Sequence, residues 1–132
     1  MARQQIAILD TERAQLQILE ELLASEGDAV TTLDDLRQGY VFVKDCRPAL
    51  IILDLVQDRQ PVGLELIRVL RADPETRNVA ILVMSANAQA LEARAERFRE
   101  EGINSLGKPY ELDELLGLIR QQLPAPEVVC ES

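Results

Sequence analysis

Residues 49–54 read ALIILD, five aliphatic side chains in a row closed by an acid. The run is too short for an ordinary helix and has no polar side. As a strand it must be buried on both faces, which is the condition of parallel sheets covered by helices. QIAILD over residues 5–10 and NVAILVMS over residues 78–85 have the same character. Elsewhere the apolar period becomes helical. Leu16, Leu19, Leu22 and Leu23 recur at helical spacing between Thr11 and Glu26, and Gly27 stops that helix. Ala29–Leu33 reads as a weaker strand, and Asp34 or Asp35 caps a helix running to about Lys44. A polar loop over Gln57–Pro61 leads to a helix over Gly63–Ala72, ended by Asp73-Pro74. Ala88–Glu100 is a charged helix stopped by Gly102; Ile103–Leu106 is a short strand; Glu111–Leu123 is a last amphipathic helix. Five strand–helix pairs in alternation predict an α/β fold, a doubly wound five-stranded parallel sheet with helices on both faces.

The 132 residues suit one domain, and with 3% aromatics its core must be aliphatic. A net charge of −9 argues against binding a phosphate backbone, and the absence of histidine excludes a His triad or His metal site within this chain. Cys46 and Cys130 are too few for a thiolate zinc site or a disulfide framework. No apolar run approaches the roughly 20 residues that span a bilayer, and the first residues lack a signal peptide's apolar segment. The expectation is a cytoplasmic protein with no membrane partner.

In open sheets of this kind ligands sit beyond the C-terminal strand ends, so those ends carry the chemistry. Strand one ends at Asp10, followed by Thr11 and Glu12; strand three ends at Asp54; strand four ends at Ser85; Lys108 follows strand five. If strands one and three are neighbours, Asp10 and Asp54 converge, and adjacent carboxylates need a cation or a proton between them. Carboxylates with a backbone carbonyl and water suit magnesium. A carboxylate held there can attack a phosphoryl group while a metal and a lysine neutralise the moving charge.

At this point the chain resembles the receiver domain of two-component response regulators. The stretches IAILDTER, ALIILDLVQDRQPVGLELI, AILVMSANA and SLGKPYELDEL carry the likeness and sample roughly residues 5–122. The resemblance implies a flavodoxin-like fold with strand order 2-1-3-4-5, a receiver domain over 1–123, and 124–132 as a tail or the start of a linker. It implies that Asp54 accepts a phosphoryl group in a phosphorelay, from a histidine kinase, a phosphotransfer protein or a small phosphodonor. Asp10, Asp54 and the carbonyl of Val56 would hold Mg2+, Ser85 would turn toward the phosphoryl group, and Lys108, before a cis-favouring Pro109, would contact its oxygens. Only self-phosphorylation and slow autodephosphorylation are implied, not turnover of a free substrate. The fourth helix, fifth strand and fifth helix would form the face for an effector domain or a homodimer, with Arg94 and Arg97 set against Glu111, Asp113 and Glu114.

Three positions depart from the family pattern. Thr11 stands where a second acid usually binds metal, so magnesium affinity should fall unless Glu12 compensates. The loop after Asp54 is one residue longer than usual. Ser105 stands where an aromatic switch is common. Thr11 and Ser105 motivate an alternative, a pseudo-receiver that binds partners independently of phosphorylation. A further alternative is a small phosphohydrolase with Asp10 as nucleophile and Glu12 as its acid–base partner.

Plainer roles stand beside these. Asp10 and Asp54 are also the acids that commonly begin loops, and Ser85 suits a cap for the next helix. Lys44 and Lys108 are the only lysines among 14 basic residues; Lys44 reads as a solvated turn residue. Cys46 reads as a helix-end filler and Cys130 as an exposed thiol.

Overall fold

In the computed structural model, residues 5–123 are described; the 124–132 tail and Cys130 lie outside them. Five strands, β1 (Gln5–Leu9), β2 (Ala29–Leu33), β3 (Leu50–Asp54), β4 (Ala80–Ser85) and β5 (Asn104–Gly107), alternate with five helices. The helices are α1 (Arg13–Ser25), α2 (Gly39–Cys46), α3 (Val62–Ala72), α4 (Ala88–Glu100) and α5 (Leu112–Gln122). The sheet is parallel throughout and its order is β2-β1-β3-β4-β5.

The strand period of two sorts the core into two layers. Ala7, Leu9, Ile51, Leu53, Ile81 and Val83 face one way, under Val43 of α2, Leu66 and Leu70 of α3, and Phe98 of α4. Ile6, Ile8, Leu50, Ile52, Leu82 and Met84 face the other way, under Leu19 and Leu23 of α1 and Leu115 and Ile119 of α5. The central strands are therefore apolar at every position because each residue, odd or even, meets a helix layer. β2 is an edge strand, half-buried along its whole length, which is why its pattern AVTTL is the weakest of the five.

The second predicted helix is in fact two pieces. A 3-10 turn over Leu36–Gln38, capped by Asp35 accepting from the backbone N–H of Arg37, precedes α2. α4 has its predicted bounds, α3 begins one residue early and β4 begins two residues late. Gly27 ends α1 at φ 91°, a left-handed geometry that glycine adopts without a Cβ penalty. Lys44, expected to be solvated, is ion-paired. Its Nζ lies 2.9 Å from Glu75 and 3.3 Å from Asp73, while Tyr40 donates its hydroxyl to Asp73. The pairing joins α2 to the α3–β4 connection, a contact between segments that are distant in sequence.

Candidate functional site

Register brings the candidate residues to one edge. Leu9 pairs with Leu53, so Asp10 and Asp54 lie one step beyond and at the end of neighbouring strands. β4 and β5 extend the edge: Ser85 pairs with Gly107, and the Lys108 backbone N–H donates to the Ser85 carbonyl at 2.9 Å. Lys108 thus leaves β5 with its side chain committed to the β1–β3 side. Its Nζ lies 2.8 Å from Asp10 Oδ2 and 3.3 Å from Asp54 Oδ2. The Lys108–Pro109 peptide is cis.

Each carboxylate keeps its second oxygen on a backbone donor. Asp10 Oδ1 accepts from the Glu12 N–H at 3.0 Å and Asp54 Oδ1 from the Val56 N–H at 3.2 Å. These bonds fix the first residues of both loops, with a carboxylate oxygen of each acid as the acceptor. Asp10 is 4% exposed, so its carboxylate meets the lysine and the Glu12 N–H rather than bulk water. Burial pulls the Lys108 ammonium toward deprotonation, but the hydrogen bond and charge of Asp10, followed by the charge of Asp54, outweigh it and leave its pKa above the ordinary lysine value.

Ser85 is buried, and its Oγ accepts from the Asn87 N–H at 3.0 Å. Ser85 is not the cap of α4. That role falls to Asn87, whose side chain accepts from Ala90 N at 3.0 Å. Among the described residues no hydrogen bond joins Ser85 Oγ to Asp54 or Lys108.

Thr11 and Glu12 are exposed. Glu12 reaches Asp10 through its backbone N–H, and among the described residues no three His, Cys, Asp or Glu side chains converge as a metal cluster. The Glu12 carboxylate does not complete a triad in place of Thr11. The donors that remain are hard oxygens: two carboxylates and the Val56 carbonyl, which accepts no hydrogen bond among the described residues. Magnesium commonly keeps several waters and takes one or two carboxylates, so this set fits a largely hydrated ion.

Two supporting residues, Gln57 and Tyr110, go beyond the sequence reading. Gln57 is buried in the loop after Asp54; its Oε1 accepts from Leu36 N at 2.6 Å and its Nε2 donates to Asp35 at 2.7 Å. It ties the loop after Asp54 to the β2–α2 connection. The longer loop is taken up by a two-residue turn, Asp58 and Arg59 at φ 51° and 61°, closed by reciprocal bonds between Gln57 and Gln60. Tyr110, two residues beyond Lys108, accepts at its hydroxyl from Gln15 Nε2 at 2.5 Å, and burial raises its pKa. That contact secures the Lys108 loop to α1. A polar residue inside an otherwise exposed loop is the only sequence signal for Gln57. The partner of Tyr110 is 95 residues away.

Residues 6–120 match the family described as the response regulator receiver domain. The chain belongs to that family. Curated relatives include the DNA-binding response regulator MtrA of Mycobacterium tuberculosis, 29% identical over 92% of this chain and 51% of its own length. Protein RcaC of Microchaete diplosiphon is 31% identical over 89% of this chain and 18% of its own. The receiver domain spans about half the length of the first of these. A response regulator receiver protein from Pseudomonas putida superimposes with TM-score 0.78 at 27% identity, covering 92% of this chain and 98% of that one. The receiver domain of a sensor histidine kinase from Pseudomonas aeruginosa PAO1, with magnesium coordinated in its active site cleft, gives TM-score 0.76 at 26% identity, again over 92% and 98%. The fold is that of a two-component signalling domain, with the strand order and helix layers already described. Among the described residues no helix is long and apolar enough to cross a membrane.

Proposed function

We propose that this receiver domain accepts a phosphoryl group on Asp54 from a histidine kinase, a phosphotransfer protein or a small phosphodonor, and signals through its bound partners. The observation that carries this reading is the ammonium of Lys108 lying between the carboxylates of Asp10 and Asp54 at the C-terminal edge of the sheet. An Asp54 oxygen attacks phosphorus, a phosphorus–oxygen acyl bond forms, and the bond to the donor breaks with its electron pair leaving on the donor atom. Lys108 is positioned to neutralise the arriving phosphoryl oxygens without a large movement, since its ammonium already faces Asp54. Asp10, Asp54 and the Val56 carbonyl would hold Mg2+, which supplies charge neutralisation on the phosphoryl oxygens when bound. Ser85 Oγ, now an acceptor from Asn87, must rotate its own hydroxyl hydrogen toward the phosphoryl group to act as a donor. The added charge biases the two-state packing of the strand and helix faces, the output being a population shift read by an effector domain or a second copy.

Incubation with magnesium and acetyl phosphate, followed by intact mass measurement, tests the reading. The expected result is the gain of one phosphoryl mass, abolished in Asp54→Asn; an unchanged mass at saturating donor overturns it. The pseudo-receiver alternative is favoured by the exposed Thr11 and by the lack of a third converging acid among the described residues. It predicts no saturable magnesium binding at millimolar concentrations.

A further inference from the structure

α3 and α4 lie side by side on one face of the sheet, and a groove of about 430 Å³ runs between them. Its floor is apolar, formed by the half-buried Leu64 of α3 and the exposed Ala93 of α4 above the buried Ile67 and Phe98. Its walls are cationic. Arg68 and Arg71 rise from α3, and Arg94 and Arg97 from α4; Glu101 is the acid among the lining residues. The positions follow one rule on both helices. Residues 64, 67, 68 and 71, and residues 94, 97, 98 and 101, are each an i, i+3, i+4, i+7 stripe, the helix face ordinarily given to apolar packing. Four of these eight positions hold arginine in a chain whose net charge is −9.

Two of the four arginines already have partners. Arg71 donates to the carbonyls of Arg77 and Val79 at 2.6 and 2.7 Å, and Arg97 approaches Glu101 at 3.5 Å. Arg68 and Arg94 form no ion pair or side-chain hydrogen bond among the described residues. A groove with an apolar floor and two uncommitted guanidinium groups on opposite walls is complementary to an amphipathic segment whose apolar ridge is flanked by carboxylates. α3 has 11 residues and α4 has 13, so the groove accepts about three helical turns, roughly 16 Å.

We propose that the α3–α4 groove docks an acidic amphipathic helix of a partner protein, its apolar ridge on Leu64 and Ala93 and its carboxylates on Arg68 and Arg94. The groove lies away from α5, whose acids Glu111, Asp113 and Glu114 would repel the same ligand. The rival occupant is a second copy of this chain presenting that acidic start of α5.

The probe is a fluorescein-labelled synthetic peptide of about three turns, with Leu at i, i+3, i+4 and i+7 and Glu beside them. A scrambled peptide of the same composition is the control. Anisotropy titrations with the full chain should show the amphipathic peptide binding about tenfold tighter than the scramble. The Arg68→Glu/Arg94→Glu double variant should lose at least that factor, and Arg68→Gln/Arg94→Gln a smaller one, with unchanged far-ultraviolet dichroism in both. Backbone amide shifts induced by the peptide should cluster on α3 and α4. Equal affinity for the two peptides, indifference to both double variants, or shifts confined to α5 overturns the proposal. So does a molecular mass that rises with protein concentration and returns to the monomer value in the Glu variant, because the second copy then fills the groove.

Discussion

Replacing Lys108 by methionine keeps most of the side chain's volume and removes the cation between two acids. Its Nζ sits 2.8 Å from one carboxylate and 3.3 Å from the other. At an effective dielectric of about 20, those contacts correspond to about 6 and 5 kcal/mol of attraction. Desolvating three charged groups opposes that by several kcal/mol each, so the cluster as a whole is near balance. Loss of the cation alone is not balanced. It leaves the Asp10 and Asp54 side chains, 5% and 16% exposed, facing each other. Breaking a buried pair from one side costs about 3–5 kcal/mol, and the access of water to Asp54 reduces this to about 2–4 kcal/mol. Asp54→Asn leaves one carboxylate for one ammonium and should change stability by no more than about 1 kcal/mol. Urea unfolding separates the two variants. With a slope of about 2 kcal/mol per molar for a domain of this size, the methionine variant's midpoint should fall by about 1–2 M and the asparagine variant's should hardly move. Equal losses in the two variants would refute the charge argument, because the cost would then follow packing rather than the two-to-one ratio of acids to base. Adding magnesium should recover part of the methionine variant's loss, the ion replacing the missing positive charge.

The glycines give opposite expectations. Gly63→Ala places a Cβ 2.1 Å from the Asp54 carbonyl oxygen and 2.7 Å from Leu55 Cα, and should lose about 3 kcal/mol in thermal or urea unfolding. Gly117→Ala, inside α5 with nothing within 4 Å of the new Cβ, should gain about 0.5–1 kcal/mol in the same assay. The Tyr40 hydroxyl, then the Glu75 N–H and Lys44, hold the Asp73 carboxyl below the ordinary carboxylate range. A lowered folded-state pKa adds stability above the unfolded value, and that stability is lost as pH falls through the lowered one. The acid limb of the wild-type stability curve should therefore be steeper below about pH 4 than that of Asp73→Asn, measured by dichroism across the acid range. Thr11→Asp supplies the acid absent beside Asp10 and should tighten magnesium about tenfold in a calorimetric titration; unchanged affinity would show that position 11 does not face the ion.

The central strands were legible because burial on both faces writes itself as an unbroken aliphatic run, and the sheet's order was carried by the resemblance. The gathering of Asp10, Asp54, Ser85 and Lys108 at one edge was legible because the C-terminal ends of parallel strands all lie there. What escaped depends on partners far apart in the chain. Lys44 looked solvated because Asp73 and Glu75 approach it only after α3 has folded back. Gln57 reads in the sequence only as the start of a polar loop, yet it is buried between two connections. Ser85 was offered as the cap of α4, but Asn87 takes that place, two residues on along the same turn. The 3-10 turn ahead of α2 shares its residue types with an ordinary first helical turn, so composition alone does not separate them.

The contact at Gly63 has an evolutionary corollary. Only a hydrogen atom fits between the start of α3 and the main chain that carries Asp54, and the Gly63 N–H is itself bonded to the Leu55 carbonyl at 3.0 Å. Position 63 and the excursion from Val56 to Pro61 are therefore one inherited unit. A descendant that acquires a larger residue there must reroute the excursion in the same step, so substitutions in the two should appear together or not at all.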